Sequence, residues 1–211
     1  MRKISFVFRR AYIIPLIAMG IFLFNSQVFA KNAISLEIKV IDAQGDTVKD
    51  YSEFAKSVSS GVSIAAGDLG GDGIEEIVVG SGIGKEPLIK VFRQDGSQIV
   101  SFLAYDKSFH GGVNVAIGDV DGNGIDEIIT APESNGGPQV RIFNRYGDEA
   151  GFFWAYESDF RGGVSIYSAN VDEAPGSEII AARQSGGDSE IKIFSQYMFR
   201  QKSFYRASEA R

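Results

Sequence analysis

Residues 112–132 read GVNVAIGDVDGNGIDEIITAP. An alternating apolar run at 113–117 and a continuous one at 127–131 flank an acidic, glycine-rich connection, as two strands joined by a turn would. The phrase occurs three times. Gly112-Val113-Asn114-Val115 is preceded by Gly61-Val62-Ser63-Ile64 and followed by Gly163-Val164-Ser165-Ile166, each 51 residues away. The same offset relates Glu127-Ile128 to Glu76-Ile77 and Glu178-Ile179. It also relates Arg141-Ile142-Phe143 to Lys90-Val91-Phe92 and Lys192-Ile193-Phe194, and Phe153 to Phe102 and Phe204. Three copies in register without one insertion define repeat units 61–111, 112–162 and 163–211. Counting back 51 from Lys90 reaches Lys39-Val40-Ile41, so residues 31–60 hold an N-terminal half unit and the link into the first repeat.

Each unit carries four strand-like runs, in the second unit 113–117, 127–131, 138–143 and 150–156. The third run, PQVRIF, alternates as a half-buried strand does, and ESNGG and NRYGD supply turn chemistry. Four strands per ~50 residues predict the blades of a β-propeller. The expected fold is all-β: three full four-stranded repeats of 51 residues plus an N-terminal half repeat, a partial or open propeller. Three and a half blades are too few to close a ring, which predicts open blade faces available for self-association or for docking onto another repeat protein.

Composition agrees and narrows the chemistry. Among 211 residues there are 25 Gly, 16 Phe, 8 Tyr, one His and no Cys. Disulfides, zinc–thiolate sites, iron–sulfur clusters and a Cys nucleophile are excluded. The chain has 21 basic and 27 acidic residues; four of the basic ones and none of the acids lie in 1–30, so the remainder is net −10. Such a surface repels phosphate backbones, which argues against nucleic acid and for bound cations.

Residues 1–30 have the three parts of a secretory signal peptide. MRKISFVFRR is basic, residues 11–24 are uncharged and mostly apolar, and Val28 and Ala30 have the small-residue spacing of a cleavage site. The alternative is a retained membrane anchor, but a 14-residue helix spans about 21 Å, short of the ~30 Å hydrocarbon core, so cleavage is expected and no span after it. The expected location is secreted or in the cell envelope.

The connection after the first strand is where a ligand set gathers. In the second unit it reads Asp119-Val120-Asp121-Gly122-Asn123-Gly124-Ile125-Asp126-Glu127. Side-chain oxygens stand at positions 1, 3, 5 and 9, and the Ile125 carbonyl can add another; hard oxygens in a flexible loop suit Ca²⁺. Position 12 is Thr130 and the flanks are strands, so this is not an EF-hand. The plainer reading is an Asx-rich turn whose side chains bond backbone N–H groups. The first unit's loop retains Asp68, Asp72 and Glu76 but has Gly70 at position 3, leaving a weaker second site. The third has Asn170, Ala174 and Pro175 and is expected to bind nothing.

These units resemble FG-GAP/VCBS repeats, the calcium-loop blades of integrin α-subunit propellers and of many exported bacterial proteins. The resemblance rests on GGVNVAIGDVDGNGIDEIITAP, GGPQVRIF and FFWAYESDFRGGV and covers about residues 34–205. The Phe-Gly element is replaced by Phe-x-Gly-Gly at 109–112 and 160–163. The resemblance implies a propeller fold, calcium bound for structure through Asp119, Asp121, Asn123, Ile125 and Glu127, and roles in adhesion or ligand binding. It implies no reaction.

Nothing else in the sequence supports catalysis. His110 lies in a turn where the next unit has Arg161. The pairs Glu75-Glu76 and Asp126-Glu127 are split between opposite faces of a strand, one member a loop ligand and the other solvated. Trp154 aligns with Leu103 and reads as packing. The expected function is an exported calcium-binding module that binds a protein or glycan at a surface. A structural fragment of a larger repeat protein is the alternative, and a hydrolase on a propeller scaffold is a weaker third.

Overall fold

The structure, a computed structural model, describes residues 61–172, 174–186 and 190–195, with the short segments 4–5, 39–42 and 44–50. All regular structure among them is β. The first blade is β4 (Val62–Gly67), β5 (Glu76–Ser81), β6 (Leu88–Phe92) and β7 (Gln98–Leu103). The second is β8 (Val113–Gly118), β9 (Glu127–Pro132), β10 (Gln139–Phe143) and β11 (Glu149–Trp154), and the third shows β12 (Val164–Ala169), β13 (Glu178–Arg183) and β14 (Ile191–Phe194). Each is an antiparallel meander in sequence order. The fourth run expected in the third unit lies outside the described residues.

The half unit is present as a hairpin, β2 (Lys39–Asp42) with β3 (Thr47–Asp50). Its ladder shifts register between Val40 and Ile41, where β6 and β7 shift at Val91/Phe92 and β10 and β11 at Ile142/Phe143. The turn glycines Gly45, Gly96 and Gly147 all have φ between 84° and 91°. A bulge and a left-handed turn residue recurring every 51 positions identify β2–β3 as the third and fourth strands of a blade. Ile4–Ser5 (β1) pairs with Ile41 and Asp42. The rest of the expected signal segment lies outside the described residues, and no helix among those described is long and apolar enough to cross a membrane.

Blades stack face to face, with β4 beside β8 and β8 beside β12. The second strand of each four-stranded blade is covered on both sides, so β5 and β9 are buried at all six positions and read as continuous apolar runs. The outer strands β7 and β11 are exposed at half of their positions. One core lies between the first and second blades and includes Leu69, Val78, Val91, Val115, Ile128 and Phe143. Another lies between the second and third and includes Val120, Ile129, Ile142, Ile166, Ile179 and Phe194. Polar contacts repeat with the blades. The Tyr105 hydroxyl donates to the Gln139 carbonyl (2.8 Å), and the Tyr156 hydroxyl lies 2.9 Å from the Glu190 carbonyl. The Phe-x-Gly-Gly element is explained by backbone crowding. A Cβ on Gly111 or Gly162 would collide with the carbonyl of Ser134 or Ser185.

Candidate metal centre

The acidic loops occupy the connections β4–β5, β8–β9 and β12–β13. In each, the glutamate that opens the second strand turns back and accepts the N–H of loop position 2. Glu76 takes Leu69 (3.0 Å), Glu127 takes Val120 (3.0 Å) and Glu178 takes Val171 (2.9 Å). All three glutamates are buried. The third loop has Ala174 where the second has Asn123 and Pro175 where it has Gly124, yet keeps this bond.

In the second loop Asp119 organises the turn. Its Oδ1 accepts the N–H groups of Gly122 (2.7 Å) and Asn123 (3.0 Å), and its Oδ2 accepts Gly124 (2.8 Å). Asp121 Oδ1 accepts Asn123 N–H and Asn123 Oδ1 accepts Ile125 N–H. The Asx-turn reading is therefore correct as far as it goes. The carboxylates nevertheless keep lone pairs beyond these bonds, and they converge: Asp119, Asp121 and Glu127 each offer an oxygen within 4.8 Å of the others. This is the one such group of three among the described residues. Burial, followed by the charges of Asp121, Asp119 and Asp126, pushes Glu127 up to about 7 against the lowering effect of the Val120 N–H. No cationic side chain is among the groups acting on it. Three hard carboxylates, mutually repelling and one of them buried, fit a divalent cation with oxygen ligands. Asn123 and Ile125 stand on the exposed rim of the same loop.

The first loop is arranged differently. Asp68 caps the turn through Gly70, Asp72 and Gly73, and the Gly73 N–H chiefly holds its carboxyl below the usual range. Glu76 meets the guanidinium of Arg145, whose Nη2 lies 3.2 Å from Oε1. The structure does not gather Asp68, Asp72 and Glu76 as it gathers the second loop's acids. In the third loop Asp172 accepts the Ala174 N–H and Asn170 donates to the Ala174 carbonyl, a turn and nothing more.

One sequence reading needs correction. Asp126, expected to be solvated, is half-buried and clasps the preceding blade: its Oδ2 accepts the Asp68 N–H (2.8 Å) and its own N–H donates to the Asp68 carbonyl (3.1 Å). Ser177, 51 residues on, donates its N–H to the Asp119 carbonyl (2.6 Å). His110 is exposed in its turn, with Nδ1 2.7 Å from the Ser108 carbonyl. Trp154 is half-buried, its ring packed where Gly137 leaves space. Arg145 was missed by sequence reasoning; the only signal for it was the missing acid at Gly70. No protein-family model matches the chain, and no curated protein matches it either.

Proposed function

We propose that the protein is an exported, non-catalytic interaction module built of propeller-type blades, with Ca²⁺ held for structure by the second loop and a protein partner bound at the front of the third blade. Asp119, Asp121 and Glu127 hold the ion, with Asn123 and the Ile125 carbonyl at the rim. The ion supplies charge neutralisation that stiffens the turn between β8 and β9. Glu76 and Glu127 are each engaged by a backbone N–H, and no hydrolytic role is proposed.

The observation that carries the binding role is an apolar sheet face. Tyr167 (62%), Val171 (51%), Ile191 (67%) and Ile193 (55%) are exposed on the third blade. Their counterparts in the second blade, Ala116, Val120, Val140 and Ile142, are at most 7% exposed. A contiguous apolar surface of this kind marks a protein interface more readily than a glycan site, which needs directed polar groups. A second copy of this chain is the simplest occupant, because pairing open face to open face requires only one such surface.

Sedimentation at several concentrations, with Ile191→Lys and Ile193→Lys as the comparison, tests this. Mass that rises with concentration in the native protein but not in the variants supports it. A compact monomer that binds no dye reporting apolar surface overturns it.

A further inference from the structure

The first and second loops differ at one decisive position: Gly70 stands where the second loop has Asp121. The space is filled from another blade. A Cβ built on Gly70 would lie 2.5 Å from Nη1 of Arg145. Arg145 belongs to the turn between β10 and β11 and reaches back to the first blade, where Nη2 meets Glu76. The contact is largely removed from water, the side chains being 21% and 5% exposed. The other Glu76 oxygen is taken by the Leu69 N–H. Burial raises Glu76, and the Arg145 charge is the strongest influence in the opposite direction. Among the described residues, no cationic group is among those acting on Glu127. The residue 51 positions after Arg145 is the uncharged Gln196, which lies outside the described residues.

We propose that Arg145 is the resident cation of the first loop: its guanidinium takes the place that a divalent ion takes in the second, and Gly70 is the residue that admits it. The first loop is then closed to metal, and Asp68, Asp72 and Glu76 hold none in the native chain. An arginine suits this role because it stays charged at any working pH and presents a planar array of donors to carboxylates. The swap is reciprocal. Between these two loops, Asp121 goes with an external ion and Gly70 with a cation supplied by the neighbouring blade. Because the guanidinium is carried by the second blade and the acids by the first, this junction keeps its charge closure in a chelator. The comparison with the second loop rests on the calcium reading above; the occupancy of the first loop does not.

Calorimetric titration of the full chain with Ca²⁺ tests the proposal. The native protein should bind one ion and Asp121→Ala none. Adding Gly70→Asp and Arg145→Ala to Asp121→Ala should restore one, because the first loop then has the second loop's ligand pattern and no guanidinium. If Asp121→Ala still binds one ion and a further Asp68→Ala abolishes it, the first loop is a metal site and the proposal is overturned. A folded triple variant that binds nothing overturns it too. If the native protein binds no ion and the triple variant binds one, the calcium reading of the second loop fails while this proposal stands. Should the triple variant not fold, Arg145→Gln in the Asp121→Ala background decides. It should melt several degrees below its parent in saturating Ca²⁺, where an unchanged melting temperature would mean that metal, not arginine, covers the acids.

Discussion

The fronts of the second and third blades are the same surface in two circumstances. Both present apolar side chains at four matching positions. In the second blade these lie under Val164, Ile166 and Ile179 of the next sheet, and in the third they face outward. Burial here is a property of the neighbour and not of the residue. The two fronts also differ in relief. Gly67 and Gly118 stand where blade closes on blade: a Cβ on Gly67 would collide with Ile117, and one on Gly118 with Ser168. The third blade has Ala169 at that place, and Tyr167 where the others have Ala65 and Ala116. At those two places the third front carries more bulk than the fronts that a neighbouring blade covers.

The comparison is broken most directly by truncating matched residues. Ile142→Ala should cost about 3 kcal/mol in urea unfolding, because it opens a cavity at a fully packed junction. Ile193→Ala should cost ~0.5 kcal/mol or less. Equal losses would mean that the third front is covered.

The loops sharpen the same contrast. Ca²⁺ at a hundredfold excess over Kd should stabilise the protein on the order of 3 kcal/mol if it binds only the native state. Asp121→Ala should remove that gain and Asp172→Ala should leave it unchanged, as read by melting in Ca²⁺ and in EDTA. An identical melting temperature in both would remove the second loop from the account.

Acidity gives a third measurement. Glu127 is about 7 when folded against 4.5 for the free side chain. An acid raised by folding contributes stability that is present below its unfolded value and is lost as pH rises through the folded one. In EDTA the protein should therefore be less stable at pH 7 than at pH 5 by on the order of 2 kcal/mol from this group. Glu127→Gln should flatten that slope, and a slope unchanged by the substitution would assign it elsewhere.

The tyrosine contacts give a smaller effect than the acid. Tyr156→Phe should cost about 1 kcal/mol, because its hydroxyl lies within hydrogen-bond distance of the buried Ala181 carbonyl and of the Glu190 carbonyl. A neutral result would show that water replaces the hydroxyl.

Blade architecture was legible in the sequence because a 51-residue repeat multiplies every local signal by three. The run at 127–131 alone does not distinguish a buried strand from a buried helix segment; with Glu76-Ile77 and Glu178-Ile179 in register, the strand is settled. The convergence of Asp119, Asp121 and Glu127 followed from alternate spacing in a turn. The roles of Asp126 and Arg145 were not legible. Both act across a blade boundary, on residues 58 and 69 positions away, and no local pattern records which side chain a neighbouring sheet will present. Glu76 and Glu127 were read as ligands from their loop position, whereas the backbone bond that they share with Glu178 depends on the loop's path in space.

The clasp between successive loops bears on where the chain can grow. Asp126 holds both backbone groups of Asp68, and Ser177 holds the carbonyl of Asp119, so each loop is measured against the one before it. One added residue between Asp119 and Asp126 would shift the clasp or the glutamate closure out of reach. Copies joined in this way keep the length of this connection the same from one unit to the next. A foreign peptide placed after Gly122 should therefore unfold the stack.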